Sequence, residues 1–285
     1  MNPAESSLEF VERGSEPRLA LRVDPAEGPC SGRVLLVHGF AEHGGRYDEL
    51  AGLLQRRGLA IARPDLRGHG RSGGARGYCR HFDEYVADLQ ATLDHLAKDP
   101  RFPSTVPLAL LGHSMGGLVA TRAATRLGER PAGLALSAPF FGVARALSGV
   151  ERLLGGVAGR IAPGLRQPSG LRGSDLTHDA EIAARYDADP LGFPHVTAGW
   201  FLAVTRAQAA ALEEAPSLSL PVLCLAAGDD RAVSVAATEA WFRAVGSQEK
   251  SLEILPGWFH EILNEPERSR VAGQFADALL LWMAR

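Results

Sequence analysis

The stretch Leu110-Leu111-Gly112-His113-Ser114-Met115-Gly116-Gly117 carries an apolar run straight into a serine hemmed by glycines. Such a run fits a buried strand, and the glycine-flanked serine fits a sharp bend from that strand into a helix. Glycine is required on either side because a side chain would collide with neighbouring backbone at so tight a turn. The bend lifts the hydroxyl clear of the strand end, the arrangement known as a nucleophile elbow, here Gly112-His113-Ser114-Met115-Gly116. The pattern fixes only three positions in a chain holding 32 glycines, so a plain connection with an idle serine fits the same letters. The rest of the chain arbitrates.

Outward from this stretch, strand-like and helix-like runs alternate. Leu8 to Val11 and Leu19 to Val23 read as an antiparallel hairpin, and Val34-Leu35-Leu36-Val37 as a strand buried on both faces. Tyr47 to Arg57 has helical spacing at Leu50, Leu53 and Leu54, closed by Gly58. Strands then follow at Leu59 to Ala62, Leu108 to Leu111 and Leu134 to Leu136, with helices at Phe82 to Leu96 and Gly117 to Leu127. Further on, Val222 to Leu225 and Leu252 to Leu255 read as strands, Val235 to Val245 and Val271 to Trp282 as helices. The alternation predicts an α/β fold with a mostly parallel central sheet flanked by helices, its working groups at the carboxyl ends of the strands.

Residues 1-138 and 221-285 form this expected core, and residues 139-220, which lack clear strand runs, form an expected helical cap or lid. Within that insertion Val143, Leu147, Val150, Leu154, Val157 and Ile161 recur at three- and four-residue steps, with Arg145, Arg152 and Arg160 between them. This is an amphipathic helix or helix pair. The favoured reading packs its stripe over the pocket; the other makes it a mobile lid touching a lipid surface.

Bulk composition narrows the classes. Of 285 residues, 46% are hydrophobic and 22% charged, the balance of a folded globular chain. A net charge of -3 gives no basic footprint for nucleic acid. Cys30, Cys79 and Cys224 are odd in number and far apart, so they describe neither a disulfide framework nor a metal cluster. With no signal-peptide pattern over Met1 to Ser7 and no long uncharged apolar run, the expectation is a cytoplasmic chain. Oligomeric state is not legible.

A serine hydroxyl is a poor nucleophile until a base within hydrogen-bond reach takes its proton, and that base needs a carboxylate to orient it. In this kind of sheet the chain order should be serine, acid, histidine. Leu225-Ala226-Ala227-Gly228-Asp229-Asp230-Arg231 sets acids just past one strand, and Leu255-Pro256-Gly257-Trp258-Phe259-His260-Glu261 sets a histidine just past the next. Either aspartate could instead cap the following helix. An oxyanion formed on attack needs backbone donors. The Met115 amide opens the helix after Ser114, and the Phe40 amide lies in the loop His38-Gly39-Phe40 after the Val34 strand.

Three segments together, His38-Gly39-Phe40-Ala41-Glu42-His43-Gly44-Gly45-Arg46-Tyr47, Pro64-Asp65-Leu66-Arg67-Gly68-His69-Gly70-Arg71-Ser72 and Gly112-His113-Ser114-Met115-Gly116-Gly117, resemble the monoacylglycerol lipase and lysophospholipase branch of the α/β-hydrolases. The resemblance is strongest over residues 33 to 140 and 220 to 265. It implies the α/β-hydrolase fold with an inserted cap and a Ser114, Asp230, His260 triad, Asp230 being the acid of the Gly-x-Asp-Arg segment and Asp229 the runner-up. It implies that Glu42 and Arg46 organise the alcohol side, although the same two residues read equally as a loop salt bridge. It also places His113 beside the nucleophile and Tyr186, in Tyr186-Asp187-Ala188-Asp189-Pro190-Leu191, facing the leaving group. There is one departure: where the animal enzymes carry a second histidine three residues after the first, this chain has Leu263. Asp65, Arg67 and His69 read as a structural turn.

The expected chemistry is hydrolysis of a lipid-like carboxylic ester through an acyl-enzyme, with no metal and no cofactor. A monoacylglycerol is the leading substrate, followed by a lysophospholipid or a broad range of esters. An aminopeptidase would want an acidic cluster in the cap, for which Glu213-Glu214 is the candidate. A ligand-binding protein on the same scaffold is the rival of another class.

Overall fold

Short apolar runs bounded by glycine, proline and charge become strands, and the longer amphipathic ones become helices. The computed structural model describes residues 7–145 and 148–285. Ser7–Val11 (β1) and Leu19–Asp24 (β2) form the opening hairpin, and Gly32–Val37 (β3) follows. A 3-10 turn over Gly44–Tyr47 leads into Asp48–Arg56 (α1), then come Leu59–Pro64 (β4), Asp83–Leu96 (α2), Leu108–His113 (β5), Met115–Ala123 (α3) and Leu134–Ser137 (β6). Between β6 and the next core strand lie Gly149–Ile161 (α4), Arg166–Pro168 (β7), Gly173–Leu176 (α5), Ala180–Asp187 (α6), His195–Thr197 (β8) and Ala198–Glu214 (α7). Val222–Ala227 (β9), Val235–Ala244 (α8), Lys250–Leu255 (β10) and Arg268–Met283 (α9) complete the chain.

Eight strands make one sheet in the order β1-β2-β4-β3-β5-β6-β9-β10, antiparallel at the first two pairings and parallel thereafter. Strands β3, β4 and β5 are buried along their whole length, as strands covered on both faces must be. The one guanidinium in β4, Arg63, is held between Asp24 (2.8 Å) and Asp48 (2.6 Å), which is what allows a cation in the middle of the sheet. From β3 the chain runs to β4 on one side and then crosses to β5 on the other. That reversal opens a crevice at the carboxyl ends of β3 and β5.

The region from residue 139 to 220 differs from expectation. Val143 is not helical; it bridges Val233 in antiparallel fashion, flanked by Ala144 N–H to Ala232 O (3.1 Å) and Ser234 N–H to Gly142 O (2.8 Å). Helix α4 starts only at Gly149, where Ser148 and Glu151 form a reciprocal capping box. Leu147 and the side chain of Arg152 lie outside the described residues, as do residues 1–6. The apolar stripe does not pack inward. Val150, Leu153, Leu154, Val157 and Ile161 are exposed, Leu153 by 67% and Ile161 by 78%. The helix is seated through glycines instead: a Cβ on Gly155 would meet the Phe201 ring at 2.6 Å, and one on Gly159 would meet Ala198 O and Leu202 Cβ at 2.7 Å. A small-residue seam on α7 thus turns the large residues outward. Strands β7 and β8 pair with each other, an antiparallel pair that the sequence reading does not contain.

Candidate active site

Ser114 stands between β5 and α3 at φ 52° and ψ -120°, a strained conformation for a residue with a side chain. The glycines allow it. A Cβ on Gly112 would strike Gly116 O, and one on Gly116 would strike Val37 O. The Ser114 amide donates to Ser137 O (2.9 Å), fixing the bend to β6.

Strands β9 and β10 are parallel neighbours with Ala227 opposite Leu255, so the loops that follow them leave the sheet side by side. Asp229 N–H donates to Trp258 O (3.0 Å), stitching one loop to the other. On these loops Asp230 Oδ2 lies 2.7 Å from His260 Nδ1, and His260 Nε2 lies 2.8 Å from Ser114 Oγ. Asp229 is exposed and Asp230 is the carboxylate that meets the imidazole. The other Asp230 oxygen accepts the Ala232 and Val233 amides, both at 2.8 Å. Burial alone would drag the His260 pKa down, but the Asp230 charge and hydrogen bond outweigh it and hold the imidazole above its usual 6.5. Burial likewise pushes the Asp230 carboxyl up, and His260 with the two amides brings it below its usual range.

The loop after β3 closes the other side of Ser114. A Cβ on Gly39 would sit 3.2 Å from Ser114 Cβ, so only glycine lets this backbone come so near. Neither the Phe40 nor the Met115 amide meets an acceptor among the described residues. The loop is braced by His38, whose Nε2 accepts the Leu66 amide (2.9 Å), and by Asp65, which accepts from the Gly44 (2.9 Å) and Arg71 (2.8 Å) amides. Arg67 is bound to Asp88 and Glu84, and His69 is buried between His38 and Phe193, so the three residues of the expected structural turn all sit in packing contacts.

Ser114 faces a cavity of about 520 Å³, within the range of small-molecule sites. Its walls are apolar, with Phe40, Phe140, Val143, Leu171, Trp200 and Phe201 among them. Its polar end holds Glu42, His113, Tyr186 and Glu261. His113 packs against the His260 ring (4.9 Å between centroids) with Nδ1 at 3.0 Å from Ser137 Oγ. Burial, then His260, lowers its pKa to about 3, which keeps it neutral.

Sequence reasoning missed Glu261. Its carboxylate is bidentate to Arg46, with both N···O distances 2.7 Å, while Glu42 takes a longer 3.2 Å bond from the same guanidinium. Tyr186 stacks on Arg46 at 4.8 Å. Leu263, in the place of the animal enzymes' second histidine, is buried in the core instead of facing the site. A signal did exist: an acid immediately after His260, the histidine expected to serve as base. Among the described residues no cluster of three or more His, Cys, Asp or Glu could hold a metal ion.

Residues 28–267 match the family described as serine aminopeptidase, S33. The chain belongs to that family, in the monoacylglycerol lipase and lysophospholipase branch of the α/β-hydrolases. It is 34% identical over 241 residues to a monoacylglycerol lipase of Mycolicibacterium smegmatis, covering 84% of this chain and 85% of that one. It is 32% identical over 240 residues to the phospholipase YtpA of Bacillus subtilis, covering 84% and 91%. The crystal structure of Paleococcus ferrophilus monoacylglycerol lipase superposes with a TM-score of 0.82 at 28% identity, over 92% of this chain and 99% of that one. In this S33 serine hydrolase of the α/β fold neither acid of the Glu213-Glu214 pair lines the cavity, and Glu214 is bound to Arg122 (2.9 Å) and Arg126 (2.6 Å). No helix among the described residues of this S33 hydrolase is long and apolar enough to cross a membrane.

Proposed function

We propose that this chain hydrolyses carboxylic esters of lipid-like alcohols, monoacylglycerols foremost, through Ser114, His260 and Asp230. The observation that carries the reading is the unbroken hydrogen-bonded line from Asp230 to Ser114 at the wall of an apolar cavity with one polar end.

His260 takes the Ser114 proton as Oγ attacks the ester carbonyl, and the oxyanion rests on the Phe40 and Met115 amides. The imidazolium then protonates the departing alcohol, leaving the acyl group on Ser114. Water, deprotonated by the same imidazole, attacks the acyl carbonyl and frees the acid. Asp230 holds the tautomer that places the lone pair at Nε2 and stabilises the imidazolium. The apolar walls take the acyl chain, and the end bearing Glu42, His113, Tyr186 and Glu261 takes the polyol, with Arg46, expected there from the resemblance, acting from behind the two carboxylates. No step calls for a metal or cofactor.

Residues 139-220 serve as the cap over this cavity, and the exposed side chains of α4 give it a surface suited to lipid, a transient contact through which aggregated substrate reaches Ser114. Three unpaired cysteines, two of them buried, suit a reducing cytoplasm. A lysophospholipid or a broad range of esters would use the same machinery. Peptide cleavage has less support, since neither member of the candidate Glu213-Glu214 pair lines the cavity and Glu214 is occupied by two arginines.

Ser114→Ala should lower hydrolysis of a medium-chain monoacylglycerol by about four orders of magnitude or more. Activity surviving at the wild-type level would refute the assignment. A fluorophosphonate probe separates the rival class: failure to label Ser114 would make the cavity a binding site without turnover.

A further inference from the structure

We propose that Glu261 makes the polar end of the cavity selective for uncharged leaving groups, by leaving a net negative charge around Arg46 that repels phosphate-bearing head groups. The inference rests on the ester-hydrolase reading above and concerns the head group, which that reading leaves broad.

Arg46 stands behind the polar end, and its guanidinium is turned to two carboxylates. One edge is filled by the two oxygens of Glu261, Nη1 donates to Glu42 as well, and one face is covered by Tyr186. Glu261 is itself pinned, its Oε2 accepting from Asn264 Nδ2 (3.0 Å) and its amide donating to Leu176 O (2.8 Å). The carboxylates, not the guanidinium, line the chamber that holds Ser114; Arg46 lines the neighbouring cavity behind them. Two carboxylates around one guanidinium leave one unit of negative charge, and all three side chains are at least nine-tenths buried, where screening is weak. A hydroxyl can donate to those oxygens. A phosphate would be repelled by them and would find the cation already paired. In the neighbouring cavity the carboxylates Asp48, Glu49 and Asp189 are bound to Arg63, Arg268 and His43, beside the guanidiniums of Arg46 and Arg185.

The test compares kcat/KM of the full chain for 1-lauroylglycerol and for 1-lauroylglycerol 3-phosphate, both below their aggregation limits. Wild type should prefer the neutral ester. Glu261→Gln should cut that preference by about tenfold or more, the order expected for one unit charge at a partly screened site a few ångströms away. Arg46→Gln should not cut it, and the Glu261→Gln/Arg46→Gln double variant, which restores one net negative charge, should recover it. A purely structural role for Glu261 would lower both substrates together and leave the ratio unmoved, which overturns the proposal. Wild type alone supplies a second measurement should the variants not fold: 1-lauroylglycerol 3-(dimethyl phosphate), at least as bulky as the phosphate ester but uncharged, should be cleaved about tenfold or more faster than 1-lauroylglycerol 3-phosphate, and equal rates for the two overturn the proposal. If wild type labels at Ser114 yet cleaves neither ester, the ester-hydrolase reading itself has failed; if it cleaves both equally well, only the role of Glu261 has.

Discussion

At Ser114 the backbone holds φ 52° only because Gly112 and Gly116 leave room for Val37 O and the first turn of α3. His260 is the residue whose titration should be visible in turnover. The base must be neutral to take a proton, and its pKa lies above 6.5, so kcat/KM should rise with pH through a midpoint on the alkaline side of 6.5. Asp230→Asn removes the main influence raising that pKa and leaves burial to lower it. The midpoint should move down while the plateau drops by about ten-thousandfold, a pH-rate profile being the measurement. The serine and histidine were legible because both are marked locally, one by its glycines and the other by its place after a strand. Asp230 over Asp229 was open in the residues themselves, since which of two adjacent side chains meets the imidazole depends on how the loop turns after β9. Glu261 was not found, because its partner Arg46 lies 215 positions away.

At the scale of elements, α4 shows where periodicity stops informing. A stripe at three- and four-residue steps fixes that a face is apolar, not whether that face meets protein or solvent. The deciding letters were on the other side of the same helix, where Gly155 and Gly159, four apart, form the seam on α7. Leu153→Ser with Leu154→Ser and Ile161→Ser should therefore leave hydrolysis of a soluble short-chain ester within about twofold, surface changes being mild. Hydrolysis of the same bond in phospholipid-dispersed monoacylglycerol should fall about tenfold or more, with vesicle co-sedimentation falling in parallel. Equal loss on both substrates would point to damage within the cavity. The β7–β8 pair escaped notice because Arg166, Gln167 and Pro168 are all exposed and show no alternation.

For the whole molecule, the parallel core announced itself in continuous apolar runs, whereas the strand order, set by long-range pairing, was available only through family resemblance. One buried carboxylate links the parts. Glu265 accepts from the Phe259 amide (2.8 Å) beside His260, and from the His178 amide and ring nitrogen (3.0 Å each) between α5 and α6. Glu265→Ala should cost about 3 kcal/mol in urea unfolding, because three donors lose their acceptor, and kcat should fall with it as the His260 loop loosens. A variant of unchanged stability would show that the link is idle. The stitch between Val143 and Val233 has a practical meaning for anyone building chimeras. It joins the beginning of residues 139–220 to the very loop that carries Asp230. A foreign cap spliced in at Pro139 would lose its hold on that loop, and turnover would suffer even where the new lining suits the new substrate. A graft that keeps residues 139–145 native spares the acid and lets the donor's specificity be judged on its own.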